Sequence, residues 1–304
     1  MNKSLLFFIV LLLINTIVFA DPYDDYNNFA KENFGAEKEP LIYEKQGNNL
    51  VISESGNWMY VSVYSAAIAW ETNLPAETYV EFGTTASYEL QTEVTDRSYY
   101  IHLHYLKNLS SNTLYHYRLV SKDERGNIIY SEDRTLTTSS LGSRIRIPED
   151  FPAGTEKFDC NVANATYLVT QDITVNGRAI EINAANITLD LGGRTIIYNN
   201  AHVEVNDPDN NFNNYINQSA NGVWIKPYMN SSCTVVNGII KQGAGNDAAN
   251  SGGVGFSPVF WPGSNSGELA GVSMEYSGSQ ICGIYANYAS NNVDIHHNVI
   301  KDKG

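Results

Sequence analysis

The chain is short of cysteine, with three in 304 residues, at positions 160, 233 and 282. That density excludes a disulfide scaffold, and no Cys-x-x-Cys pair is present to hold a metal. Cys233 and Cys282 pair if they fall on neighbouring repeats, and are otherwise buried free thiols. Positive charge is also scarce. Nineteen Lys plus Arg face 33 Asp plus Glu, for a net charge of -14, the wrong sign for a nucleic-acid partner. Apolar runs long enough to cross a bilayer are missing too. Leu5 to Phe19 falls short of the roughly 20 residues that a spanning helix needs. With Lys3 ahead of it, and Val18-Phe19-Ala20 before the polar Asp21, it has the form of a secretory signal over residues 1–20. The protein is expected to be secreted or held at the cell surface, with no membrane span. The sequence contains no nucleophile elbow, phosphate-binding P-loop or His-Glu-x-x-His, so the reactions those motifs serve are not indicated.

What is present is β-forming sequence of two kinds. Residues 21–49 are an irregular lead-in rich in Asn, Asp, Glu and Tyr. From Leu50 to Thr138, short strands follow one another at regular spacing. Thr78 to Gly83 alternates cleanly, and Ala66 to Thr72 alternates imperfectly. Asn73-Leu74-Pro75, Gly83-Thr84-Thr85, Ser110-Ser111-Asn112 and Arg125-Gly126-Asn127 are the expected turns. Several such strands with turns every 8–12 residues predict an all-β sandwich. Residues 139–155 are the expected linker. Beyond it, helix-forming runs give way to short β-branched triplets set between Asn, Gly and Asp.

The second region repeats itself. "NGVWIKPYMNSSCTVVNGIIKQG", "GGVGFSPVFWPGSNSGELAGVSMEYSG" and "CGIYANYASNNVDIHHNVIKDKG" overlay on one another. The overlay matches Val223, Val254 and Ile284, and also Ile239, Val272 and Val299. A period in this range signals a solenoid, because one repeat cannot bury its own apolar face. Stacking strands about 4.8 Å apart buries Ile and Val in one continuous core. Asn at the corners supplies left-handed turns and bonds from rung to rung.

Two resemblances follow from these residues. "SAAIAWETNLPAETYVEFGTT" with "LKNLSSNTLYHYRLVSKDERGNIIYSEDRTLTT" resembles a fibronectin type III domain, of the variety that precedes purple acid phosphatase catalytic domains. It covers residues 50–138 and implies a spacer or binding module. It places Trp70, Leu109, Tyr115 and Tyr117 in the core. Ser111 or Asn112 stands where the family has proline, and no phosphatase metal motif appears. "YLVTQDITVNGRAIEINAANITLDLGGRTI" and "NNVDIHHNVIKDKG" resemble the right-handed parallel β-helix of the pectate-lyase-like superfamily, over residues 156–304. The last rung ends at Gly304 without a visible cap, so the coil is expected to be incomplete at its C-terminus.

The β-helix resemblance implies a polysaccharide or cell-surface glycan as partner, and an exported polysaccharide lyase or glycoside hydrolase as the parent activity. The alternative is a non-catalytic surface or adhesion protein with the coil as spacer. A lyase needs a base beside a uronate carboxylate and a cation, often Ca²⁺, for the enolate. Asp294, His296 and Lys301 are the right residue types, although outward positions on a rung are polar in any case. Lys241, Glu275 and Lys301 align over three rungs if one residue is inserted near Ser273, as an ion-pair ladder or a binding stripe. Phe256, Phe260 and Trp261, in a Gly/Pro/Ser-rich insertion, either stack on sugar rings or pin the loop to the coil. Asp207, Asp209, Asn210 and Asn211 are oxygen donors of the kind Ca²⁺ prefers, in a stretch whose composition is equally that of a plain turn-rich loop. His102 and His104 share one strand face and are expected at the sandwich surface. Asp190 is expected at a rung corner in a structural role.

Overall fold

A computed structural model describes residues 47–96, 98–202, 218–226, 232–245, 257–262, 266–277, 283–287 and 293–302. The signal-like residues 1–20, nearly all of the lead-in, Phe256, Cys282 and the Asp207–Asn211 stretch lie outside these residues. The chain is all-β: an immunoglobulin-like, fibronectin type III sandwich followed by a right-handed parallel β-helix. Among the described residues no helix is long and apolar enough to cross a membrane.

The sandwich has seven strands: β1 (Ile52–Val61), β2 (Ala66–Gly83), β3 (Leu90–Gln91), β4 (Tyr99–Leu106), β5 (Leu114–Asp123), β6 (Ile128–Tyr130) and β7 (Arg134–Thr137). β2 belongs to both layers. Its first half pairs antiparallel with β1 and β4, and its second half with β3 and β5. Asn73-Leu74-Pro75, expected to end a strand, is instead the place where β2 passes from one layer to the other. Pro75 donates nothing to either ladder, which suits such a crossing. Between the layers lie Ile68, Trp70, Val80, Phe82, Leu109, Tyr115, Tyr117 and Leu119. The Tyr115 hydroxyl accepts a hydrogen bond from the Ser110 amide at 2.9 Å, tying the β5 start to its incoming loop.

His102 and His104 do not lie on the surface. They sit opposite Trp70 and Ile68 on the inner face of β4, at 1% and 6% exposure. His102 contacts Thr72 Oγ1 at 2.9 Å and Thr78 Oγ1 at 3.2 Å, while His104 contacts Thr78 Oγ1 and Thr92 Oγ1, both at 3.0 Å. Trp70 stacks on His104 at 5.2 Å. Four threonine contacts let two imidazoles stand where a surface pair was expected, and burial holds both neutral. Their pKa values fall to about 3 for His102, where His104 adds repulsion, and to about 4 for His104.

The coil stacks parallel strands in columns. One sheet carries Phe158–Cys160, Ile180–Ile182, Val223–Ile225, Val259–Pro262 and Ile284–Asn287. The larger sheet runs from Ile145–Ile147 through Thr166–Val169, Ile187–Asp190, Ser232–Gln242 and Ser266–Tyr276 to Val293–His296 and Val299–Asp302. Residues 145–147, within the expected linker, thus form a coil strand. Leu189, Val235 and Leu269 stack as one inward column, and Ile196, Ile240 and Met274 as another; Ile295 and Ile300 continue these registers on the last described rung but are exposed. The repeat overlay needs two corrections. Val223 pairs with Val259, and Val254 lies outside the described residues; Ile239 pairs with Ser273, while Val272 faces Gly238. Unequal loops between strands shift the count.

Corners turn through positive φ at Asn164, Asn186, Asn199, Asn237 and His297. Asn186 donates to Asn164 at 3.0 Å and Asn183 to Asn161 at 3.1 Å, from one rung to the next. Cys160 and Cys233 are buried free thiols. Burial raises both thiol pKa values, which disfavours the reactive thiolate.

Residues Lys45–Gly304 form one compact unit. The outer face of β1, β2 and β4 lies along one corner of the coil. Ala67 and Ala69 are wholly or nearly wholly buried there, small enough to let the two backbones approach. Imperfect alternation in Ala66 to Trp70 has this cause, since both faces of that segment are covered.

Candidate functional site

The corner line that receives the sandwich is built from Asp190, Gly193, Asn237, Gly271 and His297. Asp190 is fully buried. It accepts hydrogen bonds from Ser62 Oγ and, at 3.3 Å, Tyr60 Oη of the sandwich. From the coil it receives the Gly192 amide at 2.8 Å and Asn237 Nδ2 at 2.9 Å. Burial pushes the Asp190 carboxyl pKa up, against the opposing pull of these four donors. The Tyr105 hydroxyl reaches two corner carbonyls, Gly238 O at 2.8 Å and Gly271 O at 3.0 Å. Gly271 has φ 61°, and a Cβ there would stand 2.3 Å from the Trp58 ring. The structural role expected for Asp190 therefore extends beyond its own rung to the sandwich.

Docking the sandwich along this line leaves a cleft of about 720 Å³ beside it. This lies within the ordinary range for a ligand site, roughly 300–1,000 Å³. One wall is the sandwich segment from Leu90 to Asn108, with Glu93, Asp96, Tyr99, Tyr105 and Lys107. The other is the outward face of the coil, where Ile239, Ser273 and Val299 stack beside Lys241, Glu275 and Lys301. The predicted register of Lys241, Glu275 and Lys301 is the observed one. Lys241 Nζ lies 3.2 Å from Glu275 Oε2, so the ladder is an ion pair that also forms a cleft wall. Lys301 Nζ lies 3.8 Å from Asp96 Oδ1 and 6.0 Å from the Tyr99 ring centre, and so bridges the two walls.

The trio Asp294, His296 and Lys301 is divided by the corner at His297. Lys301 faces the cleft. His296 lies in the column of Asp190. Its Nε2 is 3.1 Å from Glu268 Oε1 and 3.8 Å from Asp294 Oδ2, and its Nδ1 is 2.7 Å from His297 Nδ1. Trp58 stacks on His297 at 5.6 Å and meets His296 edge-on at 5.9 Å. The two histidines thus belong to the sandwich contact.

Phe260 and Trp261 belong to the strand Val259–Pro262 and are fully buried, which corrects their placement in a loop. Trp261 points into the coil core. Phe260 stacks on Tyr285 at 5.0 Å and meets Trp224 at 6.1 Å, in a ladder on the opposite sheet. Burial of this kind leaves no ring face for a sugar. Beside the ladder, Glu181 contacts Arg178 at 2.8 Å, Lys157 at 3.2 Å and Lys226. Burial raises the Glu181 pKa, but the three cations outweigh it and hold the carboxyl below its usual value. Arg178 lies 3.7 Å over the Trp224 ring. The sequence signals for this cluster, isolated charges between apolar triplets, are those of any outward rung face. Among the described residues, no group of three or more His, Cys, Asp or Glu is placed to hold a metal ion.

No protein family matches the chain, and no curated protein matches it. Among solved structures it is similar to the fibronectin type III domain of human fibronectin type III domain containing protein 3, at 12% identity and a TM-score of 0.23, covering 34% of this chain and 93% of that one. It is similar to a pectate lyase from Erwinia chrysanthemi at 13% identity and a TM-score of 0.27, covering 81% of this chain and 78% of that one. It is also similar to a family 28 exopolygalacturonase from Yersinia enterocolitica, at 8% identity and a TM-score of 0.32, covering 81% and 74%. All three superpositions are loose, and none bears on the chemistry of the cleft.

Proposed function

We propose that this is an exported, carbohydrate-associated β-helix protein that holds a glycan chain in the cleft between its sandwich and its coil. The observation that carries this reading is the cleft itself. Its walls alternate tyrosine faces with paired charges, Tyr99 and Tyr105 against Lys241–Glu275 and Lys301–Asp96. Sugar rings present apolar C–H faces and many hydroxyls, and such walls offer ring faces, donors and acceptors together. Export rests on the signal-like residues 1–20. The sandwich is then half of a binding site and more than a spacer.

A parent activity as polysaccharide lyase or glycoside hydrolase is the first form of this reading. Lys241 beside Glu275 in a cleft supplies residue types suited to proton transfer and charge stabilisation. The second form is a surface or adhesion protein that binds without turnover. It is favoured by the division of Asp294 and His296 from Lys301, and by the pairing of the cleft carboxylates Glu275 and Asp96 with lysine. Incubation with a glycan panel separates the two forms. A lyase gives absorbance near 235 nm from its unsaturated product, and a hydrolase gives new reducing ends. Binding without either product supports the second form, and no binding to any glycan removes both.

A further inference from the structure

The histidine pair at the last described corner sits against one sandwich side chain. His296 Nδ1 lies 2.7 Å from His297 Nδ1. Trp58 touches both rings, stacked on His297 at 5.6 Å and edge-on to His296 at 5.9 Å. The same indole fills the space at Gly271, where a Cβ would stand 2.3 Å from it. The two histidines, the glycine corner and Trp58 are therefore one packed contact. His297 holds it from a left-handed corner, at φ 51°.

Two ring nitrogens at that distance form a hydrogen bond only when one carries a proton and the other does not. The second nitrogen of His296 decides which is which. Its Nε2 lies 3.1 Å from Glu268 Oε1. A carboxylate accepts, so Nε2 carries the proton. In the neutral pair His297 Nδ1–H then donates to the bare His296 Nδ1. A first added proton leaves the bond intact. It settles on His296 Nδ1, drawn by Glu268 and by Asp294 at 3.8 Å, and His297 accepts through Nδ1 with its own proton moved to Nε2. A second added proton ends the arrangement. Both Nδ1 atoms are then donors, and two like charges face each other. The rings must part, and the Trp58 stack on His297 is lost with them.

The other titratable groups around the pair come from three elements. Glu268 and Asp294 belong to coil strands. From the sandwich comes Tyr60, within electrostatic range of Glu268, Asp190 and Arg144. Asp190 stands three strands away in the column of His296. Burial raises its pKa, so its protonation favours the docked state and opposes the histidines. The Asp190 and Tyr105 hydrogen bonds to the corner contain no histidine, so the effect is confined to the Trp58 end.

We propose that His296 and His297 form a proton-operated latch at the Trp58 end of the sandwich–coil contact, closed while one proton is shared between the two Nδ1 atoms and released when each atom carries its own. An unlatched ring titrates as an ordinary histidine, at about 6.5. The latch is therefore closed above that pH, and its opening equilibrium rises by up to about tenfold per unit below it. Neither histidine lines the cleft, so the latch is independent of the glycan reading.

The test is hydrogen–deuterium exchange of the full chain at pH 7.5 and pH 5.5, corrected for the intrinsic pH dependence of exchange. Exchange in Ile52–Val61 and Ser266–Tyr276 is expected to rise by about threefold or more at the lower pH, within the limit that one proton sets. Leu114–Asp123, also in the sandwich but away from the corner, reports any general acid weakening and is subtracted. His297→Asn keeps a residue that tolerates positive φ, and His296→Gln keeps a donor toward Glu268. Either variant should abolish the local rise. Ring-nitrogen NMR of the wild type at pH 8 should also find one proton between the two Nδ1 atoms. A rise no larger than that of Leu114–Asp123 overturns the latch. So does a local rise that survives in a folded variant, or a wild-type pair with no proton on either Nδ1.

Discussion

Asn237, at a left-handed corner of the coil, stands with its Nδ2 3.0 Å from Ser65 Oγ of the sandwich. The same nitrogen is 2.9 Å from Asp190 Oδ1. One amide group therefore joins a coil corner, a buried carboxylate and the sandwich, across 172 residues of chain. A tethered spacer would need no such joint. Asn237→Gly keeps the positive φ and deletes the amide. It is expected to lower stability by about 1–3 kcal/mol, the range for orphaning a buried polar partner. Combined with Ser65→Ala, it should show a coupling of about 0.5–3 kcal/mol in urea unfolding. Strict additivity of the two changes contradicts the joint.

Gly271 is needed twice over, for its φ of 61° and for the approach of Trp58. Gly271→Ala is expected to lower the unfolding free energy by about 1–3 kcal/mol through backbone strain alone, with the clash against the Trp58 ring added. In the Trp58→Leu background the clash part should disappear and the strain part remain. An unchanged urea midpoint for Gly271→Ala counts against the packing of the sandwich on this corner.

His102 and His104 make stability depend on pH with a definite sign. Their folded pKa values, about 3 and about 4, lie below the ordinary 6.5. The unfolded chain therefore binds their protons more readily. Stability is complete above pH 6.5 and falls as pH drops from 6.5 toward 4, by up to about 1.4 kcal/mol per unit for each histidine. Asp190, whose pKa is raised, acts in the opposite sense, so the comparison is made with His104→Gln. That variant should lose less stability than wild type between pH 7 and pH 5 in urea titrations. An equal or steeper loss sinks the assignment.

The division of the predicted trio separates two phenotypes. Lys301→Ala should weaken glycan binding by about three- to tenfold, since Lys301 bridges the cleft walls to Asp96. Its effect on stability should be small, as for other partly exposed ion pairs, within about 1 kcal/mol. His296→Ala should do the reverse. It loosens the contact with Trp58 and Glu268, and leaves cleft binding close to wild type. The same loss of binding from both variants contradicts the geometry.

Much of the fold was legible because periodicity reports burial. Thr78 to Gly83 alternates because one face of that half of β2 is covered, and Leu189, Val235 and Leu269 recur because each rung buries the same column. The Lys241–Glu275–Lys301 register was also legible, once one residue is inserted near Ser273 in the repeat. What escaped was everything set by the approach of one module to the other. Ala67 read as part of an irregular strand, and the reason for its size lies in Gly271 far along the chain, where a Cβ would stand 3.4 Å from the Ala67 Cβ. His102 and His104 looked like surface residues because nothing local announces the threonines that satisfy them. Phe260 and Trp261 looked like loop aromatics because the Gly, Ser and Pro around them hid a four-residue strand. The cleft could not be read at all, since its two walls are separated by more than 100 residues and meet only after docking.

The most direct test of the composite cleft is hydrogen–deuterium exchange of the full chain with and without a bound glycan. Slowed exchange is predicted on both walls, in Tyr99–Leu106 of the sandwich and in the coil segments that carry Lys241 and Glu275. The opposite sheet around Trp224 and Phe260 should be unchanged. Protection confined to one wall, or centred on the Trp224 face, contradicts the account.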